Sequence, residues 1–263
     1  MTAQQTSPPP EIEEQPRRAG SEMTLIEHLK ELRNRVIWCA AALVVGTIFS
    51  AVFFETILGW LLAPARESHP ELELNVFGPT ESIGILFKVA MYGGLVVASP
   101  MVIYQTLMFI VPGLTARERR LILPSMLGTI GFLLGGMAFA YWVILPISLD
   151  FLIDFGDDVF EPEFGAKQYI NFAIRIIFWV GVSFELPMVM ALLARLGVAR
   201  ARQFIGFWRY AILLIFIIAA VVTPTPDPLT QSLVAGPLLL LYILGIVFAW
   251  ILQPRRPPQP SPA

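Results

Sequence analysis

Residues 210–222 read YAILLIFIIAAVV, thirteen uncharged residues closed by Thr223 and Pro224. Whether they cross a membrane decides the architecture of the whole chain. Spanning the hydrocarbon core takes roughly 20 apolar residues, so this run alone suggests a buried or re-entrant piece. Its neighbours are longer: uncharged runs cover 36–54, 89–116, 121–149 and 229–252, and a fifth, 176–194, is interrupted only by Glu185. The runs 89–116 and 121–149 exceed what a tilted helix requires, so their ends hold turns.

Loop charge chooses between five crossings and six. If all six runs cross, one side receives the amino-terminal residues, 117–120, 195–209 and the tail from 253, and with them 14 of the 18 Lys and Arg. The other side receives 55–88, 150–175 and Asp227, holding 12 of the 20 acids and four bases. Positive charge marks the cytoplasm, which predicts six transmembrane helices with both termini cytoplasmic. Dropping the fifth crossing would place Arg255 and Arg256 outside and break the pattern. The fifth helix is therefore read as a short span, which predicts a locally thinned bilayer.

Composition agrees. The chain is 56% apolar and 14% charged, against about a quarter charged in soluble domains, and reads as an all-α polytopic membrane protein. Residues 1–22, with Pro8, Pro9, Pro10 and mixed charges from Glu11 to Arg18, read as a disordered cytoplasmic tail. They lack the apolar region of a cleavable secretory signal. Residues 23–252 form one membrane domain, and 253–263 form a second short tail.

The lone Cys39 excludes an intramolecular disulfide. Together with His28 and His69, which fall on opposite sides of the membrane in this topology, it makes no metal site. No GxxxxGK[ST] phosphate loop is present, so no ATP motor is expected and any energy for transport comes from a gradient or a partner. Residues 181–185, GVSFE, begin like a nucleophile elbow but lack its closing glycine. The chain therefore reads as a non-enzyme with no cofactor. Topology explains the basic loops, which give no reason to expect nucleic-acid binding.

A few polar residues need a reason. Glu185 has nine uncharged residues on each side. An acid at that depth costs roughly 2.5 to 3.5 kcal/mol, and such groups face an interior or a wet cavity. It is either a functional group or structural glue. Residues 25, 29, 32 and 36 place apolar side chains at helical spacing ahead of the first span, which predicts an amphipathic helix at the interface. Thr24 and Glu27 form a capping box at its start. Glu27 and Glu31 lie one turn apart on that helix, and Glu118 sits among Arg117, Arg119 and Arg120 on the same side of the membrane. Carboxylates so placed can meet a dication, guanidinium groups above all; the alternative is a solvated helix with internal ion pairs. Pro100, Pro124, Pro146, Pro187 and Pro237 predict kinks, and Gly128, Gly131 and Gly135 permit close helix approach.

Five stretches together carry a family resemblance: HLKELRNR at 28–35, FIVPGLTARERR at 109–120, MAFAYWVILP at 137–146, GVSFELP at 181–187 and TPTPDPLTQ at 223–231. Over residues 23–250 the chain strongly resembles the TatC family, the core and receptor subunit of the twin-arginine protein translocase. The resemblance implies six helices with both ends inside, the fifth and sixth being short. It implies recognition of the paired arginines in the signal peptides of folded precursors, with Glu31 and Glu118 as the matching acids. Arg33 maps to a position tied to that recognition, and His28 belongs to the same motif. Glu185 corresponds to an intramembrane glutamate that contacts partners or the inserted peptide.

The family's Thr-Pro loop corresponds to the stretch with Asp227 and Gln231, which here reads TPTPDP and is one residue longer than the TPPD form. Implied partners are single-span TatA- and TatB-type subunits, docking at 210–222, in a homo-oligomeric assembly of the TatBC type within the lipid bilayer. The implied place is the bacterial cytoplasmic membrane, and the implied energy source is the proton-motive force. The rival reading is a proton-coupled transporter of a small solute using Glu185; against it, the two halves show no matched interruptions of an inverted repeat.

Overall fold

The computed structural model describes residues 25–68, 70, 74–110, 122–154, 164–223 and 228–253. In chain order these form α1 (Leu25–Val52), α2 (Phe54–Ser68), β1 (Leu74–Asn75), α3 (Glu81–Ile110), α4 (Ile122–Phe139), a π-helical turn (Ala140–Ile144), α5 (Leu145–Asp154), β2 (Phe164–Gly165), α6 (Ala166–Ser183), α7 (Leu186–Arg195), α8 (Ala201–Gly206), α9 (Trp208–Val222) and α10 (Pro228–Leu252). Five helical segments are long and apolar enough to cross a membrane, and Trp208–Val222 is a shorter sixth. At 1.5 Å per residue, the 15 residues of α9 rise about 22 Å, short of a hydrocarbon core of about 30 Å.

Two expectations about helix length change. The amphipathic stretch before the first span is not a separate interfacial helix: it runs without a break into the 28-residue α1, because no proline or glycine interrupts residues 25–45. The last helix is not short either. α10 has 25 residues, rising about 37 Å, with Pro237 inside it and no polar residue between Gly236 and Leu252 except Tyr242.

Prolines mark the irregularities. Pro146 has no N–H to give the carbonyl of Trp142, and the turn just before it widens so that the Leu145 N–H reaches Ala140 O. Pro187 likewise cannot donate to Ser183, and the fourth apolar segment breaks there. The Phe184 N–H bonds both Val180 O and Gly181 O at 3.1 Å, and the Glu185 N–H bonds Val182 O at 3.1 Å. That tightened turn separates α6 from α7.

α1 packs along α3 at glycines. A Cβ on Gly46 would lie 2.6 Å from Gly94 O, and one on Gly94 would lie 2.6 Å from the Thr47 nitrogen. Neither Gly131 nor Gly135 serves α4 in this way, since a Cβ on either meets nothing within 4 Å. α4 instead approaches the α6–α7 break through Gly136, against Phe184, and Gly128, against Met188. The core gathers around α6: Ile170, Ile176 and Val180 are buried against Ile144, Leu145 and Leu149 from the π turn and α5, and against Val222 and Val234 from α9 and α10. At the end of the bundle bearing α2, the strands pair in parallel, Leu74 opposite Phe164 and Asn75 opposite Gly165. Tyr141 Oη donates to Trp60 O at 2.9 Å and Tyr169 Oη to Leu61 O at 2.7 Å, tying α2 across the bundle.

Candidate functional site

The first turns of α1 meet the last turns of α3 in a small polar cluster. Glu31 and Arg35 stand four residues apart, the favourable order for an acid and a base on a helix. Arg35 Nε donates to Glu31 Oε1 at 3.0 Å, and Nη2 donates to the same oxygen. Nη1 of the same guanidinium reaches across to Gln105 Oε1 of α3 at 3.2 Å. Beside this bridge the His28 ring stacks on Phe109, with centroids 4.5 Å apart.

The carboxylate is thus half-used. Both donors of Arg35 fall on Oε1, while Glu31 Oε2 is buried and has no hydrogen-bond partner among the described residues. A buried acceptor left unmet costs stability, and the remaining carboxylate oxygen can accept a charge-assisted hydrogen bond from one N–H of a second guanidinium. The expected partner acid, Glu118, and its neighbouring arginines lie outside the described residues, in the connection that follows α3. The structure therefore brings together His28 and Glu31 of the expected residues, and adds Arg35, Gln105 and Phe109.

Arg33 is placed differently. Two residues along a helix turn about 200°, so Arg33 projects from the side of α1 opposite Glu31, where it is exposed and its Nη2 donates to Asn34 Oδ1 at 3.4 Å. Glu185 stands on another helix pair, at the α6–α7 break. Its Oε1 is buried without a partner among the described residues, and its carboxyl lies against the backbone of α4 at Leu133. Asp227 lies outside the described residues. Gln231 is tied inward: its Nε2 donates to Phe216 O at 2.9 Å, joining α10 to α9. Among the described residues no group of three or more His, Cys, Asp or Glu could hold a metal ion.

Arg35 is not among the expected residues, although its spacing of four from Glu31 is the signal that points to it. Gln105 carried no such signal, since it lies 70 residues away and reaches Arg35 only because glycines seat α1 on α3.

A family model described as "Sec-independent protein translocase protein (TatC)" matches residues 27–237. Similar curated proteins include the Sec-independent protein translocase protein TatC of Synechocystis, 37% identical over 225 residues, covering 86% of this chain and 87% of that one. TatC of Aquifex aeolicus is 37% identical over 226 residues, covering 85% and 93%, and the chloroplastic protein of Arabidopsis thaliana is 35% identical over 232 residues, covering 88% and 67%. Among solved structures, a crystal structure of the twin-arginine translocase receptor TatC superposes with a TM-score of 0.78 at 37% identity, over 85% of this chain and 98% of the other.

Proposed function

Because the chain belongs to the TatC family of Sec-independent protein translocase proteins, a multi-span membrane component of protein transport and not an enzyme, we propose that it is the receptor for twin-arginine signal peptides. In this reading the paired arginines of a precursor dock at the end of the bundle formed by α1 and α3. The half-used carboxylate of Glu31 carries the proposal: one oxygen is fixed by Arg35, and the other is buried with no hydrogen-bond partner among the described residues. Glu118, in the connection leaving α3, supplies the second acid for the second guanidinium. His28 and Phe109 give a flat wall beside them, while Arg33, on the opposite side of α1, makes only a minor contribution.

All six apolar segments cross in this reading, with both ends in the cytoplasm of a bacterial cell. The docking end then lies where precursors are made. The short α9 exposes Tyr210, Leu213, Leu214, Ile217 and Val221, a face on which the single helix of a TatA- or TatB-type subunit can pack, within a TatBC-type homo-oligomer. Glu185 receives either that partner or the inserted peptide at the α6–α7 break. The proton-motive force, which the family resemblance implies, drives transport in this reading.

Export tests this reading. In a bacterial strain lacking its own TatC, the chain should restore transport of a folded twin-arginine reporter when supplied with TatA and TatB. The Glu118→Gln variant should transport little while accumulating in the membrane normally. Normal export by that variant, or export of a reporter whose arginines are both changed to lysine, would contradict the receptor assignment.

A further inference from the structure

The opposite end of the bundle holds a feature that peptide recognition does not use. A cavity of about 630 Å³ opens between α2, β1, the first turns of α3 and the start of α6, within the range of roughly 300 to 1,000 Å³ that holds a drug-sized ligand. Its lining is almost wholly apolar, including Phe54, Leu58, Leu62, Ile85 and Ile170. Arg66 is its one charged lining residue among the described residues.

Three observations bear on the occupant. Arg66 is exposed and makes no ion pair among the described residues. The nearby acid Glu81 is engaged elsewhere, accepting from the Phe77 N–H at 3.0 Å and facing Lys167 Nζ at 4.0 Å. The surroundings are those of a bilayer interface: Trp60 and Trp142 are outward-facing, 69% and 72% exposed, and Tyr141 is bonded to the Trp60 carbonyl, the aromatic belt expected at headgroup depth. The rim residues Val76 and Ile83 are also exposed apolar side chains, so the mouth opens onto the same surface.

A hydrocarbon slot at headgroup depth with one uncommitted guanidinium at its lining matches a chain joined to a negative phosphate. We propose that this cavity binds an anionic phospholipid, with one acyl chain in the slot and its phosphate on Arg66. The acyl chain fills the apolar volume between Leu58, Leu62, Ile85 and Ile170. The assignment does not depend on which leaflet this end faces, nor on the receptor reading.

Native mass spectrometry after stepwise delipidation tests it, using the full chain loaded with phosphatidylglycerol or phosphatidylcholine. The wild type should retain one phosphatidylglycerol under conditions that strip phosphatidylcholine. Ile83→Trp, which plugs the mouth from an exposed position, should retain one lipid fewer with an unchanged helical signal and melting temperature. Arg66→Gln should lose the preference for phosphatidylglycerol by about fivefold, the effect of roughly 1 kcal/mol per basic residue at a lipid surface. Equal retention of the two lipids by wild type, or equal lipid counts for wild type and Ile83→Trp, would overturn the proposal.

Discussion

The two ends of the bundle differ in what their polar groups are tied to. Around α2 several polar groups tie elements together: Tyr141 and Tyr169 donate to backbone carbonyls, Glu81 is held by Phe77 and Lys167, and β1 pairs with β2, while Arg66 stays uncommitted and Ser50 Oγ and Ser148 Oγ are buried without a partner among the described residues. Where α1 starts and α3 ends, Glu31 has one oxygen bonded to Arg35 and the other buried without a partner among the described residues. A satisfied hydrogen bond contributes about 1 kcal/mol, whereas an unmet buried acceptor costs about 1 to 3 kcal/mol. At the first end the paired groups join separate elements, and at the second a carboxylate oxygen has no partner among the described residues, which under the proposed receptor reading is where a ligand is met.

The strongest way to break that contrast is to remove the packing both ends share. Gly94→Leu places side-chain atoms where a Cβ already lies 2.6 Å from the Thr47 nitrogen. It should push α1 off α3, lower stability by about 3 kcal/mol and abolish peptide binding, read by thermal melting and a peptide titration. An unchanged melt would show that the glycine contact does not set the α1–α3 register. Glu31→Gln should act on one end only. Losing a charge-assisted bond of roughly 1.5 to 3 kcal/mol weakens twin-arginine peptide binding about ten- to a hundredfold, while the weakened pair with Arg35 lowers stability by no more than about 0.5 kcal/mol.

Tyr169→Phe is the converse. Removing the hydroxyl that meets Leu61 O should cost about 1 kcal/mol of stability and leave peptide affinity unchanged, so an affinity loss in this variant would show the two ends to be coupled. The smallest effect is expected from Arg33→Ala. Its side chain projects away from Glu31, so binding should fall by no more than about twofold, the scale of a surface substitution. A tenfold loss would place part of the peptide on the far side of α1.

The helices were legible because apolar runs and the charge of the connections report spans directly. The short α9 was read from thirteen uncharged residues and the need to keep Arg255 and Arg256 with the other bases. The breaks at Pro146 and Pro187 were visible as prolines, but the width of one and the tightness of the other depend on how the freed carbonyls are met. Helix contacts were much less legible: Gly131 and Gly135 have the spacing of an interface yet face open space, while Gly46 and Gly94 make the close approach. That choice is set by which helices are neighbours, which a single sequence does not encode locally. For the same reason Glu31 and His28 could be named in advance and Gln105 could not. The cavity beside Arg66 left no trace in the sequence, since its walls come from four separate elements.

The central claim is that the remaining carboxylate oxygen of Glu31 receives an arginine, and a double-mutant cycle tests it most directly. Binding of a twin-arginine signal peptide and of its twin-lysine counterpart would be measured against wild type and Glu31→Gln in lipid nanodiscs. The account predicts that wild type prefers the arginine peptide and that Glu31→Gln loses that preference, giving a coupling of at least about 1 kcal/mol, as expected for groups in contact. The same arginine preference in both proteins, with no coupling, would mean that Glu31 does not touch the paired arginines and would contradict the account.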